Sequence, residues 1–181
     1  DIYNCSVSLI GLGYVGLPLA VAISEQKICK VSKRKLSREV IGFDISIKRL
    51  KELSHGLDYT NEIDEEIIKK TTIKFTSNPE SLISTDVFVV TVPTPIDSKN
   101  NPDLTPLESA SKMIGEVLNK KNNKNKTIVI YESTVFPGAT EEFCIPIIEK
   151  YSGLKCNYDF GCGFSPERIN PGDKKHTLDS I

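Results

Sequence analysis

A cationic excess is missing from this sequence. Lys and Arg number 23 against 24 Asp and Glu, a formal net charge of -1 at pH 7, and this balance excludes a generally basic nucleic-acid binder. Long apolar runs are missing too. The longest strongly apolar stretch, 87–92, already contains Thr91 and falls far short of the ~18 residues of a membrane span, so no membrane crossing is expected. There is no C-x-x-C pair: Cys5, Cys29, Cys144, Cys156 and Cys162 are odd in number and widely spaced, which fits reduced thiols rather than a disulfide framework or a zinc site. No bound metal is expected, and His55 and His176 accompany no nucleophile or metal constellation. The opening Asp1-Ile2-Tyr3-Asn4 lacks the basic segment of a secretory leader, so a cytoplasmic setting is expected. Internal repeats are also lacking.

What remains is 181 residues, 39% hydrophobic and 26% charged, with 11 Gly and 10 Pro. A single domain of this size buries roughly 70% of its unfolded surface, so it needs no covalent staple. Short apolar runs alternate with longer amphipathic stretches, as in a parallel sheet with crossover helices. The pattern predicts strands at 6–10, 40–43, 73–75, 87–91, 127–131 and 158–164, and helices near 15–27, 47–55, 63–69, 106–119 and 137–151. The expected fold is therefore α/β: a Rossmann-type doubly wound, mainly parallel sheet with helices on both faces. Thr105-Pro106-Leu107-Glu108 reads as a capping box with Pro at the first helical position, and Asn78-Pro79 and Phe136-Pro137 mark two more helix starts. The tract 120–126 is too polar to pack and is expected as a solvated turn. Lys27, Lys30, Lys33, Arg34, Lys35 and Arg38 make a basic tract with no aromatic interleaving, expected as a solvated extension of the first helix and its loop.

Chemistry enters at Gly11-Leu12-Gly13-Tyr14-Val15-Gly16, a G-x-G-x-x-G that follows the first strand and opens the first helix. The first glycine permits a tight turn, the second lets backbone approach a pyrophosphate, and the third allows helix and strand to pack closely. The helix N-terminus adds amide donors and a positive dipole end. Asp44 closes the second strand, where an acidic side chain hydrogen-bonds an adenosine ribose, which favours NAD over NADP. It lies 28 positions beyond Gly16 rather than the roughly 20 of the simple fingerprint, so the basic tract reads as an insertion. Arg49 either lies along the cofactor or faces solvent, and it would soften the NAD preference if it reached a 2′-phosphate.

Four further segments carry a family resemblance: Val92-Pro93-Thr94-Pro95-Ile96-Asp97, Asn101-Pro102-Asp103-Leu104, Tyr131-Glu132-Ser133-Thr134-Val135-Phe136-Pro137-Gly138, and Phe164-Ser165-Pro166-Glu167-Arg168-Ile169-Asn170-Pro171-Gly172. Together they resemble the UDP-glucose/GDP-mannose dehydrogenase family over essentially the whole chain, which matches only that family's N-terminal, NAD-binding half. The Ser-Pro-Glu-Arg-Ile-Asn-Pro-Gly-Asp wording is most similar to the UDP-N-acetylhexosamine 6-dehydrogenases that make uronic acids for surface polysaccharides. UDP-glucose dehydrogenases carry a second Glu at about the place of Pro171.

The resemblance implies that Gly11, Gly13, Tyr14, Val15, Gly16, Asp44, Arg49, Thr94 and Thr134 bind NAD. It further implies that Thr134 lies near the reacting centre, that Glu167 serves catalysis, and that Arg168 and Ile169 line the sugar-nucleotide site. The strand-end positions of Thr94 and Thr134 agree, since ligands of doubly wound folds bind at the carboxyl edge of the sheet. Members of the family oxidise a sugar-nucleotide primary alcohol to a carboxylate with two NAD, through a nucleophilic cysteine assisted by a lysine. That Gly-Gly-x-Cys-x-Pro-Lys-Asp segment is not in these residues, and Cys162 has no basic partner in sequence to replace it. The expectation is a cofactor domain from a two-domain, homo-oligomeric enzyme acting on a UDP-sugar, with the UDP-glucose and GDP-mannose enzymes as rivals. A non-catalytic NAD-sensing module is the alternative from another class.

Overall fold

Four of the six strands carry an apolar core of branched and aromatic side chains, the composition that suits a sheet covered on both faces. The computed structural model describes residues 3–96, 102–121 and 127–166. The strands are β1 (Asn4–Ile10), β2 (Ser37–Phe43), β3 (Lys74–Thr76), β4 (Val87–Val90), β5 (Thr127–Tyr131) and β6 (Phe160–Phe164). They form one sheet in the order β3-β2-β1-β4-β5-β6, and every neighbouring pair is parallel. The chain order reverses direction between β1 and β4, which makes the carboxyl edge beside them the topological switch point.

Side-chain alternation divides the interior into two layers. Val7, Leu9, Val40 and Val89 pack with Leu17, Ala20, Val21, Leu53 and Ile68 from α1 (Gly16–Glu25), α2 (Ile47–Ser54) and α3 (Glu65–Lys70). Ile10, Ile41, Phe88, Val90, Val129 and Tyr131 pack on the other face with Leu107, Ile114, Leu118 and Ile148 from α4 (Thr105–Lys120) and α5 (Ile145–Ser152). Two polar links run through this interior. Ser8 and Thr85, both fully buried, share a 2.6 Å hydrogen bond, and Tyr131 Oη shares another of 2.6 Å with Ser111 Oγ.

Local signals were partly overridden. Thr105 is the first helical residue and not the cap: Leu104 holds the cap position without a side-chain cap, and the Thr105 amide donates instead to Asp103 Oδ1 at 2.9 Å, one residue further out. Asn78 does cap, accepting from the Glu80 amide at 3.0 Å, but the element it opens is a single 3-10 turn (Pro79–Leu82). The helix expected from 137 begins later, as a π turn (Thr140–Cys144) leading into α5, because Gly138 sits at φ +91° and cannot join a helix. The basic tract is not a helical extension: α1 stops at Glu25, and the chain doubles back as a small hairpin in which Ile28 bridges Lys35 antiparallel and Lys33 takes φ +59°. The polar stretch 122–126 lies outside the described residues.

Candidate functional site: a cleft at the switch point

The turn after β1 is built by two glycines with different tasks. Gly11 takes φ +99°, and its amide donates to Phe43 O at 2.9 Å, tying the ends of β1 and β2 together. A Cβ at Gly16 would lie 1.9 Å from Gly11 O and 2.4 Å from Thr91 Oγ1, so only glycine lets α1 start this close to the strand ends. Gly13 differs from both: a Cβ there meets nothing within 4 Å, and the open space faces the cleft. Packing therefore does not require glycine at 13, whereas backbone approach by a ligand does. The first turn of α1 has no side-chain cap and no acidic residue, which leaves its dipole uncompensated from within the helix.

This turn forms the floor of a cleft of about 850 Å³ along the carboxyl edges of β1, β2, β4 and β5. Tyr14 and Val15 line it, with Tyr14 about two-fifths exposed and Val15 buried. At one end stands Asp44. Its Oδ2 accepts from the Leu12 amide and its Oδ1 from the Ser46 amide, both at 2.8 Å, so the carboxylate is fixed with lone pairs left over for two ribose hydroxyls. At the other end the loops after β4 and β5 are stitched together. Thr94 Oγ1 donates to Thr134 O at 2.6 Å, and Ser133 Oγ donates to Val92 O at 2.6 Å. Thr94 and Thr134 both line the cleft, and Thr134 is exposed to it.

Arg49 does not face solvent. It is 3% exposed, with Nε donating to Leu12 O at 2.8 Å and Nη2 paired to Asp58 Oδ1 at 2.7 Å; Nη1 finds no hydrogen-bond partner among the described residues. Glu167, Arg168 and Ile169 lie outside the described residues.

Sequence reasoning missed the residues that brace these groups. Thr91 donates to Gly11 O at 2.7 Å, and Asp58 anchors Arg49 while accepting from Thr60 N and Oγ1 and from the Glu62 and Ile63 amides. An Asx turn was the one local sign of Asp58, since Asp-x-Thr suits that geometry. Burial by itself would push the Asp58 carboxyl up, but the hydrogen bonds from Thr60 and Arg49 and the backbone amides outweigh it and hold it below the usual carboxylate range. Cys162 is the opposite case: burial, aided by Cys156 and Cys144 nearby, pushes its thiol up to about 12, so it stays protonated at neutral pH. Among the described residues no group of three or more His, Cys, Asp or Glu is arranged to hold a metal, and no helix is long and apolar enough to cross a membrane.

Comparisons with known proteins agree with this geometry. Residues 5–180 match the model of the UDP-glucose/GDP-mannose dehydrogenase family, NAD binding domain. The chain is 51% identical to Protein CapL of Staphylococcus aureus over 178 residues, 98% of this chain and 38% of that protein. It is 52% identical over 179 residues to the UDP-N-acetyl-D-glucosamine 6-dehydrogenase of Pseudomonas aeruginosa, again 98% of this chain and 39% of the relative. Among solved structures it resembles a GDP-mannose dehydrogenase from Pseudomonas aeruginosa, with TM-score 0.78 and 28% identity over 91% of this chain and 36% of the other. It also resembles a UDP-glucose dehydrogenase from Pyrobaculum islandicum, with TM-score 0.79 and 25% identity over 95% of this chain and 38% of the other. The chain thus spans a little over a third of the length of these relatives. With a glycine turn, a strand-end acid and threonine-lined strand ends converging on one cleft, the chain belongs to the UDP-glucose/GDP-mannose dehydrogenase family, as its NAD-binding domain.

Proposed function

We propose that this chain is the cofactor half of a nucleotide-sugar 6-dehydrogenase that oxidises the C6 alcohol of a UDP-N-acetylhexosamine to the uronate, for surface polysaccharide synthesis. The observation that carries the reading is the open space above Gly13, bounded by Asp44 at one end and by the Thr94–Thr134 pair at the other. A dinucleotide laid along it puts its pyrophosphate over the first turn of α1 and its adenosine ribose at Asp44. Gly11 and Gly16 hold the turn, Tyr14 and Val15 lie beneath the dinucleotide, and Arg49 steadies the adenosine end from behind. NAD, when bound, supplies the hydride acceptor.

At the nicotinamide end Thr94 and Thr134 position the reacting edge, Glu167 serves catalysis, and Arg168 and Ile169 meet the sugar nucleotide, Arg168 with a donor fork suited to phosphate oxygens. The choice of an N-acetylated sugar is supported by the 52% identity to the Pseudomonas aeruginosa UDP-N-acetyl-D-glucosamine 6-dehydrogenase. The nucleophilic cysteine, its lysine and most of the sugar site belong to a second domain in the remaining length of such enzymes. The complete enzyme is a cytoplasmic homo-oligomer in this reading. Alcohol to carboxylate is a four-electron oxidation, so each sugar consumes two NAD.

The test is NADH absorbance with the protein carrying this chain, offered UDP-GlcNAc, UDP-GalNAc, UDP-glucose and GDP-mannose in turn. Two NADH per sugar with one acetamido substrate is expected. NAD binding with no NADH from any sugar would replace the enzyme by a sensing module.

A further inference from the structure

Asp44 and Arg49 meet on one residue. The Leu12 amide donates to Asp44 Oδ2 and the Leu12 carbonyl accepts from Arg49 Nε, each at 2.8 Å, so a cation stands within a residue's breadth of the acid that faces the ribose. An arginine so placed is the group that accommodates a 2′-phosphate in NADP-binding domains. What prevents it from acting so is its partner. Asp58 pairs with Arg49 Nη2 at 2.7 Å, and the two side chains are 1% and 3% exposed.

We propose that Asp58 is a positioning residue for dinucleotide choice: by neutralising and holding Arg49, it leaves the adenosine end negative and makes it refuse a 2′-phosphate. This rests on the reading of the cleft as the NAD site. Three charges decide the balance. Asp44 and Asp58 together outweigh Arg49, so a 2′-phosphate arrives at a site whose net sign is its own, and in a poorly solvated corner that repulsion is weakly screened.

The loop that carries Asp58 is built to keep this arrangement. Four donors besides the guanidinium hold the carboxylate: Thr60 N at 3.1 Å, Thr60 Oγ1 at 2.6 Å, Glu62 N at 3.0 Å and Ile63 N at 3.1 Å. They stabilise the anion, so it remains charged at neutral pH. Next in sequence, Tyr59 covers the guanidinium, its ring centroid 4.3 Å from Arg49 Cζ, and Tyr59 and Thr60 themselves line the cleft beside Asp44. Asp58 thus ties the cation to the wall on which the adenosine would lie, and without it neither Nη atom of Arg49 would have a hydrogen-bond partner among the described residues.

The experiment measures dissociation constants for NAD and NADP, by calorimetry or by competition, on the protein carrying this chain and on Asp58→Asn, Arg49→Leu and the double variant. Asp58→Asn is expected to shift the preference toward NADP by on the order of tenfold, and adding Arg49→Leu is expected to abolish that gain. An equal loss of NAD and NADP affinity in Asp58→Asn would reduce Asp58 to a loop clasp and overturn the proposal. Should Asp58→Asn fail to fold, Arg49→Leu decides, since the four other donors still hold the aspartate. Its discrimination against NADP is expected to widen, and an unchanged or narrower ratio would overturn the proposal. Wild-type protein that binds neither dinucleotide would sink the cofactor reading itself, whereas NAD binding with an unresponsive ratio sinks this inference alone.

Discussion

The hydroxyl of Thr91, at the end of β4, donates a 2.7 Å hydrogen bond to the carbonyl oxygen of Gly11, and the Cβ that Gly16 lacks would fall 2.4 Å from that same hydroxyl. Strand end, glycine turn and helix start thus occupy one small volume. Gly16→Ala must push the helix away from β4, which is expected to cost about 3 kcal/mol and to lower the melting temperature together with NAD affinity. Thermal melts and NAD titration of the variant check both.

Gly13→Ala is expected to separate the two effects. A methyl there meets no protein atom within 4 Å, and Gly13 is not among the residues with positive φ, so folding should be unharmed or gain up to about 0.5 kcal/mol from the stiffer unfolded chain. NAD affinity should fall by at least about tenfold, because the methyl occupies the ligand's side of the turn. A normal NAD affinity in this variant would remove Gly13 from the pyrophosphate site.

Asp58 makes acid stability depend on pH in a defined direction. Its carboxyl titrates lower in the folded chain than in the unfolded one, so its contribution is complete above the unfolded value of about 3.9 and is lost as pH falls through the folded value. Melting temperature measured from pH 6 down to pH 2 should drop more steeply for the wild type than for Asp58→Asn, and parallel curves would contradict the assignment.

The thiols should differ in reactivity. In the basic hairpin, the Ser32 hydroxyl, with backbone amides, lowers the Cys29 thiol below its ordinary value, while burial raises Cys144 and Cys162. Brief iodoacetamide treatment at pH 7.5, read by peptide mass spectrometry, should label Cys29 well ahead of Cys144 and Cys162. Cys162→Ser should leave NADH production within about twofold of wild type, since a protonated thiol of this kind is no nucleophile.

Buried Tyr131 joins β5 to α4 through Ser111. Tyr131→Phe leaves the Ser111 hydroxyl short of its 2.6 Å partner inside the core and is expected to cost about 1–3 kcal/mol, read by chemical denaturation, without changing the NADH stoichiometry.

Periodicity and glycine spacing were enough to read strand, turn and helix in order, because those signals repeat within a few residues and need no knowledge of neighbours. β5 at Thr127–Tyr131 was legible to the residue, and so was the place of Asp44 directly after β2, on the wall of the cleft. The capping box at Thr105 failed for the same reason that it was visible: its four-residue pattern takes no account of Asp103, whose carboxylate accepts from the Thr105 amide while the helix starts one residue early. The hairpin made by the basic tract left no mark in composition, since backbone pairing such as Cys29 N to Arg34 O at 2.8 Å is indifferent to side-chain type.

The sequence by itself determined the α/β class, the glycine turn, the acid that closes β2 and the family. Only the tertiary structure decided what Arg49 does, why Gly16 differs from Gly13, and that Thr94 reaches the backbone of Thr134 across 40 positions. The reason is physical: such partners are chosen by which strand ends lie side by side and by how deeply a charge is buried. Both depend on the order β3-β2-β1-β4-β5-β6, which no local pattern encodes.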